Sequence, residues 1–349
     1  MKSIRVALSY AGKVQGWLRA LVYGLLLSVA LPMWAQQPVQ HAFLWSSATG
    51  MQDLGSLGGS SYANAVNNSG QVVGYFFTPL NEVHAFLWTS NGGMQDIGTL
   101  GGNFSTASGI NDLEQVVGSS SNAAGQVHAF LWTSAGGMQD LGTLGGSSSS
   151  GVAINDKGVI VGSCLTTGDT TDHACMRTHG RWHDLGTLGG TASYANAVSV
   201  YNVVVGNSLI ATGDEHAFLW INNGMQDLGT LGGGTSNALG VNNYGNVVGF
   251  SALVGGSPSH AFLWSNAFGT MQDLGAFQDF SANSDALGIS RFGKIAGYAC
   301  TDFTNSVCHA AAWTGSNHQI RDLGTLGGTD STATAINDVG QIVGYSDTN

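Results

Sequence analysis

The 349-residue chain has little charge and little proline. Asp, Glu, Lys and Arg make up 9% of its residues, and there are four prolines. A coiled coil is excluded, because its exposed positions need Glu, Lys and Arg. Charge-driven disorder is disfavoured, since 43% of the residues are hydrophobic. Glycine is abundant, with 53 residues, and short clusters of Gly, Ser, Thr and Val indicate an all-β chain.

Basic residues are scarce and unevenly placed. Of the ten Lys and Arg, four precede residue 36, whereas all 21 acidic residues follow it, so residues 36–349 carry a net charge of −15. A body of that charge repels the phosphates of nucleic acids and anionic lipids. We therefore expect no nucleic-acid partner, and no membrane contact once the N-terminal segment is removed.

The first 35 residues resemble a secretory signal peptide. Basic residues come first, an apolar run covers residues 20–30, and the small residue Ala35 precedes Gln36. The run is short for a membrane span, and cleavage after Ala35 fits a signal peptide. The alternative is an uncleaved N-terminal anchor. The segment predicts an extracytoplasmic protein, secreted or periplasmic.

Three short motifs recur seven times, at intervals of 43–49 residues. The first is His-Ala-Phe-Leu-Trp or a variant, beginning at His41, His84, His128, His173, His216, His260 and His309. The second is Met-Gln-Asp-Leu-Gly or a relative, with Asp53, Asp96, Asp140, Asp184, Asp227, Asp273 and Asp322. The third resembles Val-Val-Gly, ending at Gly74, Gly118, Gly162, Gly206, Gly249, Gly297 and Gly344. A period near 44 residues is typical of propeller blades.

Each repeat predicts four short strands, which we name A, B, C and D. In one repeat they cover residues 62–66, 71–75, 84–88 and 94–98. An Asn/Asp/Gly turn joins A to B, as expected of a hairpin. Four antiparallel strands per repeat form a propeller blade.

Strand A carries small residues at two positions, exemplified by Ala63 and Ala65. Their spacing of two predicts that they share one face of the sheet, and their size predicts the crowded innermost strand. The repeats begin with a C–D pair at His41 and end with an A–B pair over residues 335–345. We therefore predict a seven-bladed β-propeller over residues 36–349, with the last blade closed by both termini; such closure leaves no long sheet edge exposed.

The combination His-Ala-Phe-Leu-Trp, Met-Gln-Asp-Leu-Gly and Ile-Asn-Asp-x-Gly-x-Val-Val-Gly resembles the extracellular HAF-repeat family of bacteria. The resemblance covers residues 41–349. It implies an exported protein built from these repeats, and it implies no particular activity.

The repeated His and Asp residues invite a catalytic or metal-binding interpretation. On the predicted C–D hairpin, however, His84 lies diagonal to Asp96 on one face, within hydrogen-bonding reach. A buried carboxylate that accepts from an imidazole would fix the geometry of the blade. Because the pair recurs in every blade, we predict a structural role, and neither metal nor cofactor. The predicted structural residues are His84, Asp96, His128, Asp140, His216 and Asp227.

All four cysteines fall in two of the repeats. An even number in an exported chain predicts two disulfides, Cys164–Cys175 and Cys300–Cys308, each closing a B–C hairpin. The two pairs differ in register by two positions, which argues against at least one of them. Four free thiols are the alternative.

No catalytic motif is present, so we predict a binding or interaction scaffold. The B–C loops and D–A connectors should share one face, rich in Ser, Thr, Asn and aromatic residues. A rigid scaffold commonly presents its ligand site on such loops. The candidates at the rim are Tyr62, Asn103, Phe104, Tyr194, Asp285 and Asp330. They suit a glycan or protein ligand, bound by a monomer. The alternative is an extracytoplasmic enzyme, a glycan-active hydrolase or lyase, with Asp285 or Asp330 at the mouth of the channel.

Overall fold

The computed structural model describes residues 39–277, 281–301, 304–305, 307–315 and 317–348. The predicted signal peptide, residues 1–35, lies outside the described residues. Within the described ranges every regular element is a β-strand, which confirms the all-β prediction. No helix in this part of the chain could cross a bilayer.

The strands follow one another in a constant four-strand pattern. The first fourteen are β1 Gln40–Ser46, β2 Gly50–Asp53, β3 Ser61–Val66, β4 Val72–Phe77, β5 Val83–Thr89, β6 Gly93–Asp96, β7 Gly101–Ile110, β8 Val116–Asn122, β9 Val127–Thr133, β10 Gly137–Asp140, β11 Ala153–Ile154, β12 Ile160–Leu165, β13 Asp172–Thr178 and β14 Arg181–Asp184. The others are β15 Gly189–Val198, β16 Val204–Ile210, β17 Glu215–Ile221, β18 Gly224–Asp227, β19 Gly232–Val241, β20 Val247–Leu253, β21 Ser259–Trp264, β22 Met271–Asp273, β23 Ser284–Ile289, β24 Ile295–Cys300, β25 Cys308–Thr314, β26 Gln319–Asp322, β27 Gly327–Ile336 and β28 Ile342–Thr348.

Successive strands pair into antiparallel units of four, in the order A, B, C, D. In the unit β3–β6, Gly74 of strand B lies opposite Ala63 of strand A and Phe86 of strand C. Phe86 in turn lies opposite Asp96 of strand D, as the hairpin register predicted. A single parallel residue pair, Val83 with Phe104, connects this unit to the next one.

One unit is assembled from both ends of the described chain. Its strand order is β2-β1-β28-β27, so strands C and D come from the beginning and strands A and B from the end. Phe43 of β1 lies opposite Gly344 of β28 in an antiparallel ladder. The complementary ends that the sequence shows therefore complete one another.

The small residues of strand A lie on opposite faces of the sheet, so the prediction of a shared face is wrong. A β-bulge between Ala63 and Ala65 inserts an extra residue, and the two alanines pair with consecutive residues of strand B. Ala63 packs in the core beside Ala335 of the preceding unit, while Ala65 packs beside Ala107 of the following one. The bulge thus supplies a small residue to both neighbours.

Small size is needed because adjacent A strands approach one another closely. A Cβ on Gly109 would lie 3.1 Å from Cα of Ala153, and one on Gly288 would lie 3.3 Å from Cα of Ala335. Asn64 Nδ2 also donates to the carbonyl of Ala107, at 2.8 Å. Strand A is therefore crowded, as the sequence predicted.

The core lies between neighbouring units, because strand C is apolar on both faces. Ala85 and Leu87 pack toward the following unit, whereas Phe86 and Trp88 pack toward the preceding one. Both faces of strand C are therefore buried. This explains why the His-Ala-Phe-Leu-Trp motif shows no polar alternation.

The A–B turns are linked by hydrogen bonds from one unit to the next. Asn67 Nδ2 donates to the carbonyl of Asn111, and Asn111 Nδ2 donates to that of Asn155, at 3.2 and 3.1 Å. At the far end, Asn337 Nδ2 donates to the carbonyl of Asn67 at 2.9 Å. The last repeat thereby contacts the first.

Candidate functional site

A buried serine joins each unit to the next, a feature that our sequence analysis missed. Ser236 Oγ donates to the carbonyl of Gly229, at 2.6 Å, and accepts the amide of Ala217, at 2.8 Å. Ala217 and Gly229 belong to one unit and Ser236 to strand A of the following unit. The same pair of bonds is made by Ser61, Ser105, Ser149, Ser193, Ser284 and Ser331.

The repeated His and Asp residues form the predicted hydrogen-bonded pairs. The shortest distance from His Nδ1 to an Asp carboxylate oxygen is 2.7–2.8 Å in all seven. An ionised carboxylate only accepts, so Nδ1 carries the proton. The prediction that the carboxylate is buried is wrong, because the aspartate side chains are 39–48% exposed.

The aspartate of each pair also holds the turn that follows strand D. Asp273 Oδ1, for example, accepts the amide of Gly275 at 2.7 Å. Burial alone would raise the pKa of Asp273, but the hydrogen bonds from His260 and Gly275 outweigh it and lower that pKa. The amide of Gly275 is thus bound by the motif aspartate. The carbonyl of the same glycine accepts the hydroxyl of Ser284, the buried serine of the following unit.

We expect His128→Ala to lower the free energy of unfolding by about 1 kcal/mol, because one charge-assisted bond is lost while Asp140 stays solvated. A denaturant titration measures this change. His183, an exposed histidine at the glutamine position of the second motif, is the matched control, and its alanine variant should unfold like the wild type. Unchanged stability of His128→Ala would contradict a structural role.

Both predicted disulfides are present. Cys300 lies directly opposite Cys308 on β24 and β25, with a Cα–Cα distance of 3.9 Å. Cys164 and Cys175 are diagonal on β12 and β13, with a Cα–Cα distance of 5.9 Å. The prediction that the register difference rules out one pairing is wrong, because a B–C hairpin accommodates both a direct and a diagonal bridge.

One level of strands A and B differs from unit to unit, and we call it the variable layer. It consists of the residue preceding the first small position of strand A, and of its partner, which follows the Val-Val-Gly glycine of strand B. The seven pairs are Tyr62–Tyr75, Thr106–Ser119, Ser150–Ser163, Tyr194–Asn207, Asn237–Phe250, Asp285–Tyr298 and Thr332–Tyr345. The neighbouring small residues of strand A and glycines of strand B recur in every unit, whereas the residues of the variable layer change from unit to unit.

Three successive units contribute an aromatic arc to the variable layer: Tyr62, Tyr75, Asp285, Tyr298 and Tyr345. The rings of Tyr62 and Tyr75 stack, with centroids 4.8 Å apart, and Tyr345 meets Tyr62 edge-on at 5.1 Å. Burial raises the pKa of both Tyr75 and Tyr298, and the nearby Tyr345 adds to each shift. The rings of neighbouring units therefore form one cluster.

Asp285 is the carboxylate of the aromatic arc. Its Oδ2 accepts the hydroxyl of Tyr298 at 2.8 Å, whereas its Oδ1 has neither solvent contact nor a hydrogen-bond partner among the described residues. Burial raises the pKa of Asp285 to about 6, although the bond from Tyr298 opposes the shift. A buried acceptor without a donor is costly, and such groups are concentrated at functional sites.

The next two units contribute small hydroxyl groups instead, and we call Thr106, Ser119, Ser150 and Ser163 the hydroxyl arc. The hydroxyls of Ser150 and Ser163 lie 2.9 Å apart. Ser119 Oγ is buried and lacks a partner among the described residues. The layer is therefore aromatic and acidic in one part and small and polar in another.

A second acidic group lies beside Tyr194. Asn207 Nδ2 donates to Glu215, and burial raises the pKa of that carboxyl. Burial raises the pKa of Tyr194 to about 12, with further contributions from Asp172 and Glu215. Glu215 differs from Asp285 in having an amide donor from the layer.

The six predicted rim residues do not form one group. Tyr62, Tyr194 and Asp285 lie in the variable layer, inside strands and not on connectors. Asn103, Phe104 and Asp330 lie two or three residues earlier on strand A. Asp330 is engaged, since it accepts from the amide of Cys308 and from the hydroxyl of Thr329, at 2.9 Å in both cases.

The strand-B half of the layer, including Tyr75, Tyr298 and Tyr345, was not predicted from the sequence. The signal was available, because the residue after the Val-Val-Gly glycine is Tyr, Ser, Ser, Asn, Phe, Tyr and Tyr along the chain. Variation at one place in a regular repeat could have located the site. No cluster of three or more His, Cys, Asp or Glu suited to a metal ion occurs among the described residues.

Comparison with known proteins shows the fold. No protein-family model and no curated protein sequence matches the chain. The structure is similar to the β-propeller domain of the Trilobed protease from Pyrococcus furiosus, with a TM-score of 0.54, 7% identity and coverage of 79% of this chain and 88% of that domain. It is also similar to Pyrococcus horikoshii acylaminoacyl peptidase, with a TM-score of 0.51 and 10% identity, covering 78% of this chain and 48% of the peptidase.

TolB from Acinetobacter baumannii is a further similar structure, with a TM-score of 0.48, 10% identity and coverage of 72% of this chain and 65% of TolB. The chain thus spans about half of the peptidase and less than two thirds of TolB. The two likenesses above a TM-score of 0.5, together with the four-stranded antiparallel sheets, show a β-propeller fold.

Proposed function

We propose that this protein is an extracytoplasmic ligand-binding module, a closed seven-bladed propeller of HAF-type repeats that binds a glycan at its variable layer. The hydrogen bond from Asn337 Nδ2 to the carbonyl of Asn67, and the unit built from both chain ends, support the closed ring. The two disulfides and the signal-like N-terminal segment support an oxidising compartment.

The variable layer is the observation that carries this proposal. The scaffold serines, histidines and aspartates recur in every repeat, whereas the layer holds a different pair in nearly every unit. Binding sites combine aromatic surfaces with a few placed polar groups. In the aromatic arc, the partly exposed rings of Tyr75, Tyr298 and Tyr345 provide contact surface for a sugar ring. The hydroxyl arc provides donors and acceptors for its hydroxyl groups.

The test is a glycan and peptide array, followed by titration of the best glycan against layer variants. Tyr345→Ala removes a ring of the aromatic arc, and Thr106→Tyr introduces the residue that occupies the equivalent positions 62 and 194. We expect each variant to weaken glycan binding at least tenfold. Tyr244→Ala, at a tyrosine that is 71% exposed on an A–B turn, is the control and should bind normally.

Thermal unfolding of each variant distinguishes loss of the site from loss of the fold. Thr106→Tyr is the decisive variant, because two other units already accommodate tyrosine at this position. Normal glycan binding by a folded Thr106→Tyr protein would contradict the proposal. Binding to peptides but to no glycan on the array would also contradict it.

The alternative is a glycan-active hydrolase or lyase, and the pKa of Asp285, raised to about 6, favours it as a general acid. Most glycosidases use two carboxylates that flank the bond to be cleaved. The variable layer contains one, Asp285. Incubation of the bound glycan with excess protein tests the alternative, because release of a smaller product that is absent with Asp285→Asn would identify an enzyme.

A further inference from the structure

Asp285 is a carboxylate without a counter-charge in its layer. None of the fourteen residues of the variable layer is Lys, Arg or His. Among the described residues, the neutral hydroxyl of Tyr298 is the one donor to the Asp285 carboxylate, and Oδ1 is buried without a donor. A buried carboxylate is normally paired or surrounded by donors. The described residues therefore leave this buried acceptor without a donor, and a ligand group that enters the layer beside it could supply one.

The groups around this carboxylate favour a positively charged donor. Tyr298 contacts Asp285 directly, and Tyr345, Tyr62 and Tyr75 continue the aromatic arc. Tyrosine faces attract cations through their ring quadrupole, and the attraction strengthens when water is excluded. The net charge of −15 on residues 36–349 also raises the local concentration of cations.

We infer that Asp285 Oδ1 accepts a hydrogen bond from a protonated amino group of the ligand, so that the variable layer selects a glycan containing amino sugars over its neutral counterpart. This inference rests on the proposed glycan-binding function and adds the charge of the ligand to it. The hydroxyl arc favours a sugar over a lysine-containing peptide, because Thr106, Ser119, Ser150 and Ser163 match the many hydroxyl groups of a glycan.

The preference for an ammonium group follows from what Asp285 lacks. Tyr298 already donates a neutral hydrogen bond to Oδ2, and a ligand hydroxyl would add only a second one. An ammonium group supplies both the missing donor and the missing charge, and hydrogen bonds between two ionised groups are stronger than neutral ones. A carboxylic acid or sulfate on the ligand would instead face Asp285 with a like charge.

The test is a calorimetric titration at pH 7 with two glycans that differ only at nitrogen: a β-1,4-linked glucosamine tetramer and the same tetramer fully N-acetylated. Acetylation removes the positive charge of the amino groups and leaves the sugar backbone unchanged. We expect the wild type to bind the glucosamine tetramer at least tenfold more tightly. Asp285→Asn, which keeps the side-chain shape and removes the charge, should reduce that preference to less than twofold.

A third arm uses a short lysine-containing peptide, which presents the same ammonium group without sugar. Equal affinity for the two tetramers, or a preference that persists in Asp285→Asn, would overturn the role of Asp285 and leave glycan binding intact. No binding of either tetramer would overturn the inference. If, in addition, the protein binds no glycan on the glycan and peptide array, the proposed function is overturned as well. Tighter binding of the peptide than of the glucosamine tetramer would replace the glycan with a peptide ligand.

Discussion

Asp285→Asn is expected to make the protein more stable at pH 7.5, by about 2–3 kcal/mol. The pKa of this carboxyl is raised from 3.8 to about 6 in the folded state by burial, and each unit corresponds to about 1.4 kcal/mol. Asparagine retains an acceptor for the Tyr298 hydroxyl and carries no charge. Most mutations of a half-buried polar residue destabilise a protein, so a gain in stability would be diagnostic of a functional site.

The direction of the pH dependence of stability follows from how many protons the folded and unfolded states bind. Between pH 4 and 6 the folded protein retains the Asp285 proton while the unfolded chain has released it, so this group makes stability fall as the pH rises. Below pH 4 both states are protonated, and the variant should match the wild type. Denaturant titrations at pH 4, 5, 6 and 7.5 measure the difference between the two proteins.

Glu215 and Asp172 also have raised pKa values, so they too make stability fall as the pH rises. Their contribution is the same in the wild type and in Asp285→Asn, and it cancels when the free energies of unfolding of the two proteins are subtracted. The exposed Asp214 is the control, and Asp214→Asn should follow the wild type at every pH. An Asp285→Asn protein that is less stable than the wild type at pH 7.5 would show that the carboxylate is satisfied inside the fold.

The second large effect is expected for Ser236→Ala. The change leaves the amide of Ala217 and the carbonyl of Gly229 without the partners that lie 2.8 and 2.6 Å away. Ser236 is 1% exposed, so water does not replace the hydroxyl. Since each unsatisfied buried group costs about 1–3 kcal/mol, we expect a loss of about 2–4 kcal/mol.

A denaturant titration measures this loss as well, with Ser47→Ala, at an exposed serine, as the control. The loss should be two to four times that of His128→Ala, because Asp140 remains in water whereas the partners of Ser236 do not. Equal losses in the two variants would contradict the different burial of the two contacts.

The fold was predictable because each scaffold residue is repeated. His84 and Asp96 could be paired from the hairpin register alone, and the complementary ends predicted a sheet shared by β1 and β28. The faces of strand A were not predictable, because a spacing of two implies one face unless a bulge intervenes. The bulge at Asn64 depends on how two neighbouring units pack, and a single repeat contains no sign of it.

The candidate site was predictable only in part, for a related reason. Tyr62, Tyr194 and Asp285 were selected as polar or aromatic residues near a connector, and they do lie in the variable layer. Tyr298 and Tyr345 directly follow the repeated Val-Val-Gly motif of strand B, and that motif predicts scaffold positions. Knowing that each of them pairs with the variable position of strand A requires the register across the hairpin.

Closure of the ring determines whether the layer exists as one site, and cross-linking tests it without any ligand. The amide of Asp338 donates to Asn68 Oδ1 at 2.9 Å across the junction of the chain ends, just as the amide of Asn68 donates to Asp112 Oδ1 at 2.8 Å between consecutive repeats. A short bismaleimide should therefore link Asn68→Cys/Asp338→Cys within the monomer as efficiently as Asn68→Cys/Asp112→Cys. Asn68→Cys/Asn243→Cys, with the second cysteine on a turn three repeats further along than residue 112, is the unlinked control. Linkage of the 68/112 pair without linkage of the 68/338 pair would contradict the closed ring.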